Sequence, residues 1–375
     1  MKKTLRFNVL IGAAALIALA LTGCSNSGSH GRYFSYVQNT IASSVTPPAA
    51  QHQAHAAVQH VAVTAVRAFP ARTVVISGIT PRAGNQDLYI YDTATQTTKD
   101  VFPGFDIYST QISHNDRLIV SSILTPIAEG SGIDYFQLWV ADRDGKTITQ
   151  ITTDANNHYD ATFSADGSMI AYYAYDSILG LYQLFTIPAA GGTATEIIFT
   201  DQPTLAAFQP VFTPDGLNLV FVGSTNDFFD EAIGIVKLST GVVTQLSEPQ
   251  TDSVTIHQRD YAPSVSPDGT QVSFTRGTET FGTPNTYAYD IYVMPITGEP
   301  TVDSATGLTT GLVTAGDSYQ PMYLDNANEN IVYLSGEPNS ATTDNANIFE
   351  MNRDGSITGL AKTQLTSSPF AEYFN

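Results

Sequence analysis

The feature that most constrains this chain is a strand-and-turn unit that returns at spacings of 49 to 58 residues. Its clearest copy is Tyr261-Ala262-Pro263-Ser264-Val265-Ser266-Pro267-Asp268-Gly269. Tyr261, Pro263 and Val265 alternate, which places all three on one side of a strand. Ser266-Pro267-Asp268-Gly269 is turn chemistry. Pro267 presets φ, Asp268 bonds nearby backbone, and Gly269 tolerates positive φ. A second strand follows at Gln271–Thr275.

The aromatic-x-x-x-apolar register finds further copies starting at Tyr108, Tyr159, Phe208, Tyr319 and Phe370. Asp166-Gly167 and Asp215-Gly216 repeat the turn, while Ser113–Asp116 and Leu324–Asn326 alter it but stay polar. An apolar second strand comes behind each turn. An alternating third strand follows, as in Phe136–Ala141, Tyr182–Ile187, Ile233–Leu238 and Asp290–Met294. A short polar fourth strand comes next, as in Ile148–Thr152, Thr195–Phe199 and Val243–Ser247. Turn dipeptides such as Asp144-Gly145 and Thr240-Gly241 separate third from fourth. No sustained helical period appears after residue 23. Four antiparallel strands per repeat is one propeller blade. The fold expected is therefore all-β, a six-bladed β-propeller of four-stranded antiparallel blades. The first blade (Thr73–Ser77, Asp87–Asp92, near Asp100–Phe102) lacks a first strand, and the last copy, Phe370–Phe374, has only a first strand. The two fragments complete one blade, so the ring is expected to be closed by the C-terminal strand. A miscounted imperfect repeat would make the number five or seven.

The blade motif, in Tyr261–Gly269, Phe208–Gly216, Tyr159–Gly167 and Asp290–Met294, resembles the repeats of TolB-type β-propellers over roughly residues 65–375. The resemblance implies the fold and, more loosely, a cell-envelope binding role. TolB proteins carry an α/β domain before the propeller; here residues 24–64 stand in that place. Dipeptidyl-peptidase-type enzymes follow a related propeller with a hydrolase domain, and no such domain is expected before Asn375.

Lys2, Lys3 and Arg6 precede the apolar run Val9–Leu21, and Leu21-Thr22-Gly23-Cys24 resembles the lipobox of bacterial lipoproteins. Residues 1–23 are expected to be a lipoprotein signal peptide. Cys24, the single cysteine, would be the lipidated first residue of the mature chain, palmitate included. Residues 24–64 read as a flexible linker with a few scattered histidines, and 65–375 as the propeller. No internal disulfide can form in such a chain. The formal net charge is −19, and removing the leader takes away three basic residues and no acidic ones. That balance argues against nucleic acid and anionic headgroups as partners. Ser25 follows Cys24 where an Asp would favour inner-membrane retention. The expectation is a cell-envelope protein, lipid-anchored to an outer membrane and facing the periplasm or the cell surface.

No Gly-x-Ser-x-Gly elbow, P-loop, dinucleotide glycine fingerprint or His-Glu-x-x-His occurs. The Asp-Gly turns lack calcium-loop spacing and read as hairpin closures. The ruler aromatics read as packing between blades, and Trp139 as core. Candidate ligand-binding residues are those just before each first strand, which would ring one channel mouth: Asp106, Asn157, His158, His257, Arg259, Asp260 and Asp317, with Glu372 as a further candidate. No catalytic residue is assigned. Two readings stay open for that set. In one it binds a small polar ligand, a peptide or an envelope protein, or, through His158 and His257 with Asp106 or Asp317, a divalent metal. In the other its members satisfy one another. A metal-dependent lyase or hydrolase at the channel mouth is the alternative function; some propeller lyases use a metal in this region.

Overall fold

The computed structural model describes residues 73–79, 86–92, 97–100, 107–113, 118–126, 134–142, 145–225, 231–250, 255–282, 286–296, 306–309, 318–323, 330–336, 346–353, 363–364 and 372–373. Within them the chain is all-β, and every strand pairs antiparallel with its neighbour in one of six four-stranded sheets. Blade 2 is Ile107–Ile112, Leu118–Pro126, Asp134–Asp142 and Ile148–Gln150. Blade 3 is His158–Phe163, Met169–Asp176, Leu181–Pro188 and Thr195–Glu196. Blade 4 is Ala206–Phe212, Asn218–Ser224, Ala232–Lys237 and Val243–Gln245. Blade 5 is Ile256–Val265, Gln271–Thr280, Thr286–Pro295 and Thr306–Gly307, the last being a strand the repeat pattern had not revealed. Blade 6 is Ser318–Tyr323, Ile331–Gly336, Ala346–Met351 and Thr363–Gln364.

Blade 1 has the order Glu372–Tyr373, Thr73–Ile79, Gln86–Asp92, Thr97–Asp100. Ser77 pairs with Tyr373 and Gly78 with Glu372, so the C-terminal strand takes the innermost place in a blade otherwise built from the first strands of the chain. It also touches the third strand of blade 6, and the inner strands of blades 2 to 6 each contact the preceding blade. Closure of this kind gives blade 1 the inner strand that its N-terminal strands lack.

Burial between blades supplies the core. Phe221 and Phe274 are fully buried, and one cluster runs from Tyr173 and Leu184 of blade 3 through Phe208 and Val222 of blade 4 to Val272 and Met294 of blade 5. Tyr108, Tyr159 and Phe208 of the ruler set join neighbouring blades. Tyr108 meets Tyr159 edge-on at 4.9 Å, and Phe208 meets Tyr173 at 5.5 Å. Trp139 is only half-buried, and its Nε1 donates to Thr125 Oγ1 at 2.9 Å. The Asp-Gly turns close hairpins: Gly167, Gly216 and Gly269 have φ near +70°, and Ser164, Thr213 and Ser266 each donate a hydroxyl to the turn aspartate.

Simple alternation along the first strand does not hold. The ladder of Ile256–Val265 with Gln271–Thr280 skips between Tyr261 and Ser264, and Ala262 has φ 52°. Tyr261 is therefore not in register with Pro263 and Val265 across the bulge.

The pairing of Glu372–Tyr373 predicts that deleting Phe370–Asn375 unseals blade 1. The expected outcome is a drop in Tm of about 5 °C or more, with fast amide exchange in Thr73–Ile79. Calorimetry and hydrogen exchange check it.

Candidate functional site

The bulge recurs at one place in the inner strands. The residue after the ruler aromatic has positive φ in four blades: Asp160 (43°), Gln209 (49°), Ala262 (52°) and Gln320 (52°). None is glycine, so each carries a cost that its surroundings must offset. The offset is visible in the hydrogen bonds. The turned N–H of Asp160 donates to Ser109 Oγ of blade 2 at 3.0 Å. That of Ala262 donates to Gln209 Oε1 of blade 4 at 2.8 Å, and that of Gln320 to Thr275 Oγ1 of blade 5 at 2.9 Å. A second tie runs alongside, from Phe163 N to Gln111 Oε1 at 2.8 Å and from Tyr323 N to Ser264 Oγ at 3.1 Å. Polar side chains on the inner strands, and Thr275 on the second strand of blade 5, thus join consecutive blades.

Two acceptors at the bulge positions are left open. Asp160 Oδ2 and Gln320 Oε1 are out of reach of solvent and have no hydrogen-bond partner. Removal from water pushes the Asp160 carboxyl up to about 6, against the opposing hydrogen bonds of Gln209 and Ser109. At neutral pH it is an ionised carboxylate in a costly place, one that favours a proton or a donor group.

His158 opens the inner strand of blade 3 two residues earlier. It is buried, its Nε2 lies 2.8 Å from Asp154 Oδ1, and its ring sits edge-on to Tyr172 at 5.0 Å. Its Nδ1 has no partner. Burial lowers its pKa, with Asp154 opposing, so the neutral imidazole is favoured.

A family model described as the TolB beta propeller domain matches residues 127–286, from blade 2 into blade 5. TolB from Acinetobacter baumannii is 17% identical with a TM-score of 0.57, over 80% of this chain and 65% of that one. A putative TolB from Agrobacterium tumefaciens is 16% identical with a TM-score of 0.52, over 80% and 93% of the two chains.

Residues 127–286 are TolB-type β-propeller repeats. Hydrazine synthase of Kuenenia stuttgartiensis shares the fold at 12% identity and a TM-score of 0.53, over 80% of this chain and 48% of that one. No curated protein matches the chain. The TolB-type propeller spans less than two thirds of the Acinetobacter protein, at 65% of its length.

The residues singled out from the sequence fare differently in this propeller. Asn157 and His158 do stand at the entry to an inner strand, where Asn157 Oδ1 accepts from Phe136 N at 2.8 Å and ties blade 3 to blade 2. His257, Arg259 and Asp260 lie not in an entry loop but inside the ten-residue strand Ile256–Val265, opposite Glu279, Gly277 and Arg276. Blade 5 is longer than its neighbours, so its strand starts five residues before the ruler aromatic. His257 and Arg259 are half-buried on that extension. Asp260 is fully buried and takes both arms of Arg276 at 2.7 Å, while the guanidinium lies 4.8 Å from the centre of the Tyr292 ring. Asp260 therefore serves as an internal counter-ion. Asp106, Asp317 and Cys24 lie outside the described residues, and Glu372 is placed only as a partner of Gly78. Among the described residues no group of three or more His, Cys, Asp or Glu is close enough to hold a metal. Asp160, Gln209 and Gln320 were missed because a polar residue inside an inner strand looks like an ordinary outward position. The signal that finds them is their fixed place after each aromatic.

Two predictions follow from these partners. Folding raises the pKa of Asp160, so its contribution favours the fold below the usual carboxylate value of 3.8 and is lost as pH rises through about 6. Asp160→Asn is expected to stabilise the protein at pH 7.5 by on the order of 2 kcal/mol, and by less than half of that at pH 4.5. Thermal melts at the two pH values decide it. Arg276→Met strands the Asp260 carboxylate and is expected to cost about 3–5 kcal/mol. Adding Asp260→Leu is expected to recover most of that loss in a denaturant titration.

Proposed function

We propose that this propeller is a lipid-anchored, extracytoplasmic binding or scaffolding module of a bacterial cell envelope. Its ligand face is the channel end that carries Asn157 and His158. The observation that carries the reading is the pair of open acceptors, Asp160 Oδ2 and Gln320 Oε1, on the inner-strand wall. An unpaired buried acceptor favours a group that brings N–H or O–H donors, such as a peptide segment or a small polar ligand. The TolB-type repeat supports a protein-binding role.

The anchoring part of the proposal rests on Leu21-Thr22-Gly23-Cys24. Lipid on Cys24 would hold the propeller at a membrane surface, with residues 24–64 as the tether and an outer membrane as the site. Among the described residues no helix is long and apolar enough to cross a membrane. The alternative of a metal-dependent lyase or hydrolase would draw on Asp106 and Asp317, which lie outside the described residues, beside His158 and His257.

Fractionation and crosslinking test the proposal. The wild-type protein should sediment with membranes, and Cys24→Ser should move it to the soluble fraction. Ile178, 92% exposed at a hairpin tip on the same end of blade 3 as His158, is a suitable position for a photo-crosslinking residue. It should capture an envelope protein, and Asp160→Ala with Gln320→Ala should reduce the yield. Unchanged sedimentation of Cys24→Ser would refute the anchor, and equal capture by the double variant would refute the channel site.

A further inference from the structure

At the other end of the blades, the Asp-Gly turns form a second polar surface. The turn of blade 5 shows what this surface can hold. Arg353, just after the third strand of blade 6, reaches back across the blade junction. Its Nη1 donates to Asp268 Oδ2 at 2.7 Å, its Nε to Gln271 Oε1 at 2.7 Å, and its Nη2 to Thr270 Oγ1. Asp268 holds this guanidinium while also accepting from Ser266 Oγ and Thr270 N.

The strand registers define the equivalent position two junctions earlier. Tyr323 pairs with Ile331 and Ile331 with Met351 in blade 6; Phe212 pairs with Leu219 and Leu219 with Val236 in blade 4. Two residues beyond Met351 is Arg353; two beyond Val236 is Leu238. Blade 4 therefore presents Leu238 where blade 6 presents an arginine. The turn it faces, on blade 3, is built like that of blade 5. Asp166 Oδ1 accepts from Ser164 Oγ at 2.7 Å and from Ser168 N at 2.9 Å, and Oδ2 accepts only from Ser168 Oγ at 2.9 Å.

With no long side chain from blade 4, the junction is an open groove of ≈ 680 Å³. Met169, Ile197, Phe212 and Leu238 give it apolar lining, and Asp166, Asp215 and Glu196 supply only negative charge. Ile198, on its wall, is 60% exposed. The chain as a whole carries a net charge of −19, which favours a basic partner over an acidic one.

The geometry points to this groove between blades 3 and 4 as a docking site for an arginine side chain on an extended, apolar-flanked segment of a partner protein. The guanidinium takes the place that Arg353 fills at the junction of blades 5 and 6. It pairs with Asp166 Oδ2 and Ser168 Oγ, and its methylene stem and apolar neighbours cover Met169 and Leu238. The planar fork suits a carboxylate with a flanking hydroxyl better than an ammonium does. The groove is at the end of the blades opposite His158, so this site and the channel site fail separately.

The test uses the peptide acetyl-Leu-Arg-Leu-amide and its citrulline counterpart, which keeps shape and loses charge. Binding is read from the methyl resonance of Met169 in the full mature chain. The arginine peptide should shift that resonance to saturation. The citrulline peptide, and the arginine peptide with Asp166→Asn, should bind about tenfold more weakly or worse. Leu238→Arg supplies the guanidinium internally and should abolish binding while raising Tm. Asp166 is exposed, so Asp166→Asn keeps the test decisive even if Leu238→Arg does not fold. Equal affinity for the citrulline peptide, unchanged binding by Asp166→Asn, or no shift at Met169 would each overturn the assignment.

Discussion

The bulge behind the ruler aromatics Tyr159, Phe208, Tyr261 and Tyr319 is the constraint on which the rest of the propeller depends. It turns a backbone N–H out of the blade's own ladder, and a buried N–H must find an acceptor. The acceptor comes from the previous blade: Ser109 for Asp160, Gln209 for Ala262, Thr275 for Gln320. At these three junctions one blade completes the hydrogen bonding of the next. Polar residues are required on the inner strands for a structural reason, and the open acceptors of Asp160 and Gln320 are exceptions within that set. The same position therefore does two things. Its backbone N–H locks blades together, and in blades 3 and 6 its side chain also leaves a buried acceptor unmatched.

Apolar burial complements these ties. One cysteine permits no internal disulfide, so the blades are held by aromatic and aliphatic contact across their faces. Phe208 shows the arrangement: it sits on an inner strand of blade 4 and packs against Tyr173 and Tyr182 of blade 3. Ion pairs are sparse but placed at junctions or beside rings. Arg276 neutralises Asp260 within blade 5, and Arg353 ties blade 6 to the turn of blade 5. The junction beside Asp166 has an open groove in place of such an arginine.

The repeat made most of the fold legible. Tyr261-x-x-x-Val265 and the Asp-Gly turn mark strand, hairpin and blade because period-two patterning and turn chemistry are local properties. Even ring closure could be read, since Phe370–Phe374 supplies the one strand that the first blade lacks. The candidate site was less legible. Asn157 and His158 stand at a strand entry. His257 and Arg259 stand inside a strand, because the longer ladder of blade 5 depends on its partner strand Gln271–Thr280 as much as on its own residues. Asp260 reads as a free acid until Arg276, sixteen residues away, is seen to occupy it.

What the sequence by itself determined is the architecture: all-β blades of four antiparallel strands, and the C-terminal strand that completes the first of them. These follow from short-range spacing, which a single chain displays in full. Only the tertiary structure decided which polar residues are spoken for. Partners such as Ser109 and Asp160, or Asp268 and Arg353, lie 51 and 85 positions apart and meet only across a blade junction. Whether a buried acid is a counter-ion, as Asp260 is, or an open acceptor, as Asp160 is, depends on those meetings and not on the residue type.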